Sequence, residues 1–518
     1  MAAQAVSLRF TSSASGFSSL EDASPAVEIF EVRDVIGREE MSQLYEFDIQ
    51  LYSDDPRIDG TKLIGKRAAL EIEHDGDIAS YHGIVAAFES DLNKYRVTLV
   101  PALWLAGLTR QCQVFLEKDV KTIVTDVLTE NGLKADDDFS IVLNGAHPVH
   151  EYIVQYEETD LNFVQRIMEH EGVYFWFKQS EGKEKLFIRD AKEAHVPFQA
   201  EDELRVHFSG LDAASEFISS LSVRNQVLPA KVILKDYNYR KPSLPLSAEA
   251  DAMKAGAGFT MEYGNHFKTP EEGKEVAKLR AQAILCREQT FEGVGGLRHF
   301  HPGFRFKIHP DSTTPWGPPF DAREFLLVRV THTAKREWGL EARSDGERET
   351  TYRNTFNAID WSIQYRPERK TPKPRIYGVM HAHIDAAASG EYAEIDDQGR
   401  YKVKLPFDLS DASKGKASKF VRMAQSYAGA NYGMHFPLHK GIEILLSHVD
   451  GDPDRPIIVG AVPNPETSSP VTGNNQTQSA IHTAGGNKLT IEDTAGGQRI
   501  MMESPTSGTI ISMGAPFD

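Results

Sequence analysis

Cysteine is nearly absent from this sequence, since its 518 residues include only Cys112 and Cys286. Two cysteines cannot build a disulfide framework or a thiolate metal site, and such scarcity is typical of proteins that fold in the cytoplasm. Neither cysteine has a histidine nearby in the sequence, and both fall where apolar packing is expected. We therefore interpret both as core residues rather than nucleophiles.

Long apolar runs and an excess of basic residues are missing as well. No segment is apolar for long enough to span a bilayer as a helix. The opening residues, MAAQAVSLRFTSSASG, lack the charged stretch and apolar core of a secretory signal, so we expect a dedicated machine to carry out any export. The formal net charge of −18 argues against a nucleic-acid partner, because phosphate binding requires a basic surface.

Strand patterns dominate the first 370 residues. The segment 44–51, LYEFDIQL, alternates, with Tyr45, Phe47 and Ile49 on one face and polar side chains on the other. The aromatic run 173–177, VYFWF, suits a buried strand. Asp-Asp-Pro and Asp-Gly sequences separate these runs as turns. Together the patterns predict a mainly β region.

Three segments of the same region have helical spacing. Apolar residues recur at i, i+3, i+4, i+7 and i+8 from Val120, and similar stripes predict helices at about 161–170 and 271–287. Asp119 and Asp160 are the expected N-caps of the first two helices. The rest of the chain shows no helical pattern.

Two polar segments with prolines divide the remainder of the sequence. Residues 367–375, PERKTPKPR, hold three prolines and four basic residues, and we interpret them as a linker. Residues 463–479, PNPETSSPVTGNNQTQS, form a second linker. A compact β unit lies between the two, and short strands with glycine-rich turns follow the second one.

Histidine clusters are the most evident candidates for metal binding or catalysis, and none of them forms a complete site. His381 and His383 resemble the HxH pair of metal-dependent hydrolases, but that motif needs a barrel strand and further ligands downstream. His299, His301 and His309 surround a Pro-Gly turn and are interpreted as turn residues. We therefore expect no catalytic, cofactor-binding or metal-binding residues and no enzymatic activity.

Several segments of the sequence contain distinctive motifs. Two of them are DDQGRYKVKLPFD and the stretch ending in GDPDRPIIVGAVPN. The segments are 99–128, 155–177, 301–310, 325–332, 396–408, 424–464 and 485–493. In these segments and in their order the chain resembles the VgrG family. GDPDRP alone is only a turn sequence, but the common order of so many segments argues against chance.

Three features depart from the family pattern. Phe407 follows Pro406 where the family usually has Trp, and Tyr432 replaces another Trp. Both substitutions keep an aromatic ring, so packing should survive. The family usually continues into a long β-helix, whereas this sequence stops at Asp518.

The resemblance implies a mainly β protein with inserted helices, divided into three parts. Residues 1–370 would form a tail-hub-like region with two tube-type β-barrels and helical insertions. Residues 376–463 would form an oligonucleotide/oligosaccharide-binding (OB) barrel. Residues 480–518 would begin the needle, a trimeric β-helix or prism.

The resemblance also implies a mechanical function. Such a chain would be the structural subunit of a trimeric cell-puncturing spike of a type VI secretion system. Three chains with two barrels each would cap an Hcp-like hexameric tube, and the spike would carry a PAAR-type tip protein and effectors and contact baseplate components. It would be assembled in the cytoplasm, exported through the machine and driven through a target membrane, with no nucleic acid or cofactor involved.

Two alternatives stay open. The chain could be the hub of a phage-tail-like contractile particle, because the type of machine cannot be read from one subunit. It could also be a spike with an enzymatic effector fused to its end. Only about 38 residues follow Ala480, which is too few for a catalytic domain, so the length favours the plain spike.

Two sets of residues are expected to shape this spike. Apolar pairs about eleven residues apart, separated by glycine-containing turns, are predicted to pack in the three-chain needle. Turn residues at 451–456 are expected to form either a rigid barrel loop near the trimer axis, through fixed proline φ angles and aspartate-backbone hydrogen bonds, or an ordinary tight turn, and both interpretations stay open. Gly399 and Arg400 are expected in a hairpin turn with a positive φ at the glycine. The needle residues are Leu489, Ile491, Ile500, Met502, Ile511 and Met513. The turn residues are Gly399, Arg400, Gly451, Asp452, Pro453, Asp454, Arg455 and Pro456.

Overall fold

The computed structural model describes residues 4–14, 29–180, 182–198, 203–204, 217–308, 323–336, 350–387, 390–410 and 412–516. Two compact units divide the chain. The large unit contains residues 1–111, 117–150 and 157–373, and the small unit contains residues 112–116, 151–156 and 374–518.

Among the described residues up to 100, strands predominate, and β4 alternates between buried and more exposed side chains. Phe47 and Ile49 are fully buried on the predicted face of their strand. The strands are β1 (Gln4–Ala5), β2 (Ser7–Ser12), β3 (Glu31–Glu40), β4 (Glu46–Tyr52), β5 (Arg67–His74), β6 (Asp77–Asp91) and β7 (Lys94–Val100).

Two helices follow among further strands. The elements are β8 (Arg110–Lys118), α1 (Val120–Glu130), β9 (Phe139–Val142), β10 (His150–Thr159), α2 (Asp160–Glu171), β11 (Tyr174–Ser180) and β12 (Lys183–Arg189). Asp119 caps α1 as predicted, since its carboxylate accepts the Thr122 N–H at 2.8 Å. The predicted cap of α2 is wrong, because Thr159 caps that helix and accepts the Asn162 N–H at 3.1 Å.

The rest of the large unit contains the third helix. Its elements are β13 (Glu203–Leu204), β14 (Ile218–Asn225), β15 (Lys231–Asp236), β16 (Leu246–Asp251), β17 (Phe259–Tyr263), α3 (Pro270–Leu285), β18 (Gln289–Gly295), β19 (Arg305–Ile308), β20 (Glu324–Arg336) and β21 (Thr350–Asp360). Helix α3 starts with a proline and covers one face of the small sheet β16-β15-β17.

One continuous sheet joins the two halves of the large unit. Its strand order is β14-β18-β21-β20-β3-β4-β7-β6-β5-β2. Strand β3 from the first half pairs antiparallel with β20 from the second, from Arg329 opposite Glu40 to Lys335 opposite Asp34. Phenylalanine rings form the core of the second half, with Phe291, Phe325 and others at most 1% exposed. The halves are therefore connected by backbone hydrogen bonds rather than by a linker.

The small unit contains a four-stranded barrel sheet and a separate C-terminal sheet. Its strands are β22 (Val379–Asp385), β23 (Lys402–Lys404), β24 (Ala428–Gly429), β25 (Tyr432–Gly433), β26 (Glu443–His448), β27 (Pro456–Ala461), β28 (Gln478–His482), β29 (Lys488–Glu492), β30 (Arg499–Ser504) and β31 (Thr509–Gly514). The barrel sheet has the order β23-β22-β26-β27, and β24 and β25 form a hairpin.

Two strand segments from early in the chain complete the core of the small unit. Residues 112–116 of β8 and 151–156 of β10 pair with each other and belong to this unit. Tyr152 and Val154 pack in the same buried cluster as Tyr401. We call this pair of segments the arm.

The fold is thus mainly β with inserted helices, as the sequence predicted. Among the helices that the structure describes, none is both long enough and apolar enough to cross a membrane.

Candidate functional site

The C-terminal sheet gathers the predicted needle residues on one face. Strands β28 to β31 pair consecutively and antiparallel, and residues directly opposite each other share a face. Leu489 lies opposite Met502, which lies opposite Ile511. The second row joins Ile491 to Ile500 and Ile500 to Met513. Ile481 extends the first row, opposite Leu489.

Nothing in the described chain covers this apolar face. Leu489 is half-buried, whereas the other six side chains are 37–57% exposed. These six are Ile481, Ile491, Ile500, Met502, Ile511 and Met513. An apolar row across four strands is unusual on a free surface, because each side chain gains about 1.5–3 kcal/mol on full burial.

The opposite face of the same sheet carries mostly polar side chains. Lys488 lies opposite Glu503, and their side chains form an ion pair at 3.3 Å. Glu492 lies opposite Arg499. The sheet is therefore amphipathic, with one face suited to water and one suited to a partner.

The predicted turn at Asp452–Pro456 is a buried loop. Asp452 and Asp454 are only 5% and 6% exposed. The Asp454 N–H donates to the Asp452 carboxylate at 3.0 Å. The Asp454 carboxylate accepts the Val154 N–H at 2.7 Å, and the Asp454 carbonyl accepts from Lys419 Nζ at 2.9 Å. This loop consequently holds the arm against the barrel core.

Gly451 starts this loop in a left-handed conformation, with φ +69°. A Cβ at this position would lie 3.2 Å from the Ile376 carbonyl oxygen, which itself follows the first predicted linker. Pro453 and Pro456 are buried, and Arg455 is half-buried. The loop thus has little room for larger residues at Gly451.

The turn at Gly399 and Arg400 is built around Asp396. Gly399 has φ +66°, and the Asp396 carboxylate accepts the Gln398 and Arg400 N–H groups at 3.0 Å each. Arg400 Nε donates to the same carboxylate at 2.7 Å. Burial raises the pKa of Asp396, but the Arg400 and Gln398 hydrogen bonds outweigh it, so this pKa is lowered. Asp396 was not among the predicted turn residues.

The histidine candidates form two pairs in different units: His381 and His383 lie on the same exposed face of β22 in the small unit, and His299 and His301 belong to the large unit. His381 is exposed on β22 and bonds the Glu443 carboxylate through Nδ1 at 2.6 Å. His299 bonds Asp77 at 2.8 Å, and His301 bonds Glu39 at 3.0 Å. His309 lies outside the described residues.

A buried network in the large unit was missed by sequence reasoning. Glu39 on β3 accepts from His301 Nδ1 at 3.0 Å and from His332 Nε2 at 2.9 Å. His332 Nδ1 lies 2.6 Å from the Tyr352 hydroxyl, and Tyr81 donates to the Arg298 carbonyl at 2.6 Å. Burial raises the pKa of Glu39, but His301 and His332 outweigh burial and hold this pKa at about 2. No local motif could reveal this network, since His301 and His332 are 262 and 293 positions from Glu39.

Burial also keeps the thiol of Cys286 protonated. Cys286 is 6% exposed in an aromatic cluster, and burial raises the pKa of its thiol to about 11. Its assignment to the core is confirmed. Cys112 is half-buried.

Known families match both units. Residues 38–338 match the family described as phage tail baseplate hub (GPD), and residues 392–462 match the type VI secretion system/phage-baseplate injector OB domain. The fold and these matches define a hub protein of the contractile-injection class that carries an injector OB domain.

Comparison with curated relatives identifies the family to which the chain belongs within that class. The spike proteins VgrG1b and VgrG1a of Pseudomonas aeruginosa are each 30% identical to this chain, over 91% and 88% of its length. The matches cover 65% of VgrG1b and 72% of VgrG1a. The chain therefore belongs to the VgrG family of type VI secretion system spike proteins, and it spans about two thirds of the length of these relatives.

Two further proteins are similar to this chain, one in its solved structure and one in its sequence. The E. coli c3393 protein, a type VI secretion component described as similar to T4 tail proteins gp27 and gp5, matches with a TM-score of 0.62 at 23% identity, over 88% of this chain and 100% of that one. The actin cross-linking toxin VgrG1 of Vibrio cholerae is 27% identical over 87% of this chain and 41% of its own length.

Proposed function

We propose that this chain is the structural subunit of a homotrimeric, cell-puncturing spike and that it has no catalytic activity of its own. The observation that carries the proposal is the uncovered apolar face of the C-terminal sheet. Its seven side chains stand in two rows on one side of an amphipathic four-stranded sheet. Two identical faces from neighbouring chains provide a matching apolar cover.

The edges of the same sheet also support a threefold arrangement. In the described part of the chain, no strand pairs with the outer edge of β28 or of β31. Open strand edges invite pairing with another chain. Three strips around one axis would pair these edges and bury all three apolar faces together, giving a stiff needle.

The domain division belongs to the same proposal. Residues 1–370 act as the tube-capping hub, residues 376–463 as the OB barrel and residues 480–518 as the start of the needle. The continuous sheet through both halves of the large unit supports a rigid hub with two tube-like parts per chain. Three chains would then offer six such parts to an Hcp-like hexameric tube.

The remaining partners follow from this arrangement. A PAAR-type tip protein, effectors and baseplate components would contact the needle and the hub, and the secretion machine would export the spike from the cytoplasm into a target cell. Membership in the VgrG family supports these assignments. A phage-tail-like contractile particle remains the alternative machine, and an enzymatic cargo remains an alternative role for a longer spike.

Light scattering of the purified chain, alone and after deletion beyond Pro470, tests the trimer. We expect the full chain at three times its 57.7 kDa monomer mass and the shortened chain at lower mass. A full chain that is monomeric at micromolar concentration contradicts the proposal. A shortened chain that stays trimeric with unchanged melting temperature would show that the needle does not hold the trimer together.

Co-purification with an Hcp-like hexamer tests the capping role separately. The proposal requires a complex of three chains with one hexamer. The deletion beyond Pro470 serves as a control, because it leaves the hub intact and should still bind the tube when its chains are brought together by a fused trimerisation helix.

A further inference from the structure

The hairpin formed by β24 and β25 exposes apolar side chains that neither the needle nor the OB turns account for. We call residues 427–436 the aromatic hairpin. Its four large apolar side chains are 44–60% exposed, namely Tyr427, Tyr432, Met434 and Phe436. Single exposed apolar residues are ordinary on a protein surface, but several together on one short segment indicate an interaction surface.

The sequence around the aromatic hairpin carries no charge. Residues 423–439 contain no Asp, Glu, Lys or Arg, although these four residue types make up 25% of the whole chain. The buried centres of protein interfaces are rich in Tyr, Phe and Met and poor in Lys, Glu and Asp. The composition of the aromatic hairpin is therefore that of an interface centre rather than that of a solvated loop.

The two tyrosines of the hairpin pack against each other. Gly429 lies directly opposite Tyr432 in the paired strands, and a Cβ at Gly429 would lie 2.2 Å from the Tyr432 ring. Glycine at this position thus allows the Tyr432 ring to lie across the hairpin. The centroid of this ring is 5.3 Å from the centroid of the Tyr427 ring. Tyrosine rings supply a large contact area at a low cost in conformational entropy.

Hydrogen bonds hold the hairpin to the core of the barrel. Tyr401 is fully buried, and its hydroxyl lies 3.1 Å from His435 Nε2. The same hydroxyl accepts the Leu438 N–H at 3.1 Å, and Gln425 Nε2 donates to His435 Nδ1 at 3.3 Å. A surface that is already held in place binds a partner at a lower entropy cost than a flexible loop does.

The place of the hairpin in the chain indicates a second copy of this chain as its partner. Barrel strand β27 ends at Ala461 and needle strand β28 begins at Gln478, and both strands belong to the small unit. Three C-terminal sheets that meet on one axis would therefore bring three barrels together as neighbours.

Charge also favours a second copy at this surface. Each chain carries a formal net charge of −18, so two copies repel each other where their charged surfaces approach. Contact through an uncharged surface leaves the charged side chains in water and avoids the cost of burying them unpaired. A basic partner would instead be recognised through acidic side chains, which residues 423–439 do not contain.

We propose that the aromatic hairpin is a second contact between chains of the spike and that it packs against the small unit of a neighbouring copy. The inference rests on the proposed trimer and adds a contact to the one made by the needle. Tyr427 and Tyr432 form the centre of this contact, with Met434 and Phe436 beside them.

Photo-cross-linking of the full chain tests which surface meets the hairpin. The photoreactive residue p-benzoylphenylalanine replaces Tyr432 in one variant and Tyr237 in the control, because Tyr237 is 53% exposed and belongs to the large unit. We expect a product of two chains from position 432 only, with the second chain linked through a peptide of residues 374–518. Equal yields from both positions would indicate random collision and contradict the proposal.

The same experiment separates this inference from the proposed trimer. Trimers by light scattering that give no two-chain product from position 432 would overturn the hairpin contact and leave the trimer standing. Monomers would overturn both. In cells that produce the full chain, products that join position 432 to a different protein, without the two-chain product, would assign the hairpin to that protein and refute the contact between copies.

A matched pair of charge variants tests whether the contact stabilises the trimer. Tyr432→Glu places a charge in the hairpin, and Tyr237→Glu places the same charge at a tyrosine of similar exposure. Because tyrosines often dominate interface energies and a buried charge is costly, we expect only Tyr432→Glu to raise the concentration of half-dissociation, by at least about tenfold. Sedimentation over a concentration series measures this, and equal dissociation of both variants, or an unchanged trimer in both, would overturn the proposal.

Discussion

Glu39 shows how one residue can connect two distant parts of the chain. It lies on β3 in the first half of the large unit, while His301 and His332 come from the second half. Its carboxylate is 3% exposed, and removing a buried charge partner leaves the other groups uncompensated. Glu39 therefore stabilises the seam between β3 and β20.

We expect the free energy of unfolding of the Glu39→Gln variant to fall less with decreasing pH than that of the unchanged chain. Because the Glu39 pKa is lowered from 4.5 to about 2 on folding, its stabilisation is complete above about pH 4.5 and is lost as the pH falls toward 2. The lowered pKa of His332 acts in the same direction, since an unfolded histidine takes up a proton below about pH 6.5.

Chemical denaturation between pH 7 and pH 2 measures this difference. We expect Glu39→Gln to cost of the order of 2–3 kcal/mol at pH 7 and nearly nothing at pH 2. Glu46→Gln is the control, because the Glu46 side chain is 55% exposed and its contact with Arg38 is long, at 3.8 Å. A loss for Glu39→Gln that is the same at every pH would contradict the charge-based role.

The Asp454 carboxylate forms one of the contacts that hold the arm in the small unit. Asp454→Ala removes the 2.7 Å hydrogen bond from the Val154 N–H to a carboxylate, and hydrogen bonds to charged groups contribute about 1.5–3 kcal/mol. Thermal unfolding should show the loss. Asp397→Ala removes an exposed carboxylate from another turn of the small unit and should change the melting temperature little. Equal effects of the two substitutions would mean that the bond to Val154 is not stabilising.

At the scale of elements, lysine substitutions on the two faces of the C-terminal sheet test which face forms the contact between chains. Ile500→Lys places a charge in the apolar rows, while Ser512→Lys places the same charge on the opposite, polar face. Only the first variant should break the assembly, because a charge at the centre of a buried apolar contact is costly. Sedimentation of both variants at equal concentration checks the expectation. Monomers in both cases, or in neither, would argue against a contact through the apolar rows.

Local patterns were sufficient to predict many elements. The i, i+3, i+4 stripe placed α1, and Asp119 capped it as expected. Alternation in residues 44–51 identified the buried face of β4. The cap of α2 was misassigned because Thr159 and Asp160 are both good caps. Tertiary contacts decide between them, since Asp160 is 1% exposed and accepts from Gln111 and Asn131.

Long-range contacts set the limit of what the sequence could predict. The arm pairs 112–116 with 151–156 and belongs to a unit that otherwise starts at residue 374. No alternation or turn signal marks that association. The GDPDRP segment was identified as a rigid turn, but its bond to Val154 depends on a residue 300 positions away.

At the scale of the whole molecule, charge should govern assembly. Each chain carries a formal net charge of −18, and three chains carry 3 × −18 = −54. Like charges repel over longer distances when salt is scarce. We therefore expect the trimer to dissociate at higher protein concentration in low salt than in 0.5 M salt. Analytical ultracentrifugation over a salt series measures this, and greater dissociation at high salt would show that ion pairs dominate the contacts.

The pairing of β3 with β20 has a consequence for synthesis on the ribosome. Glu40 and Arg329 are 289 positions apart, so β3 must wait for most of the large unit to be translated before its partner exists. During that interval one edge of β3 is open to strands of other nascent chains. Such delayed, long-range pairing slows folding and exposes intermediates to aggregation. The demand for a chaperone should therefore be greatest before residue 336 has left the exit tunnel and should fall once β20 has paired.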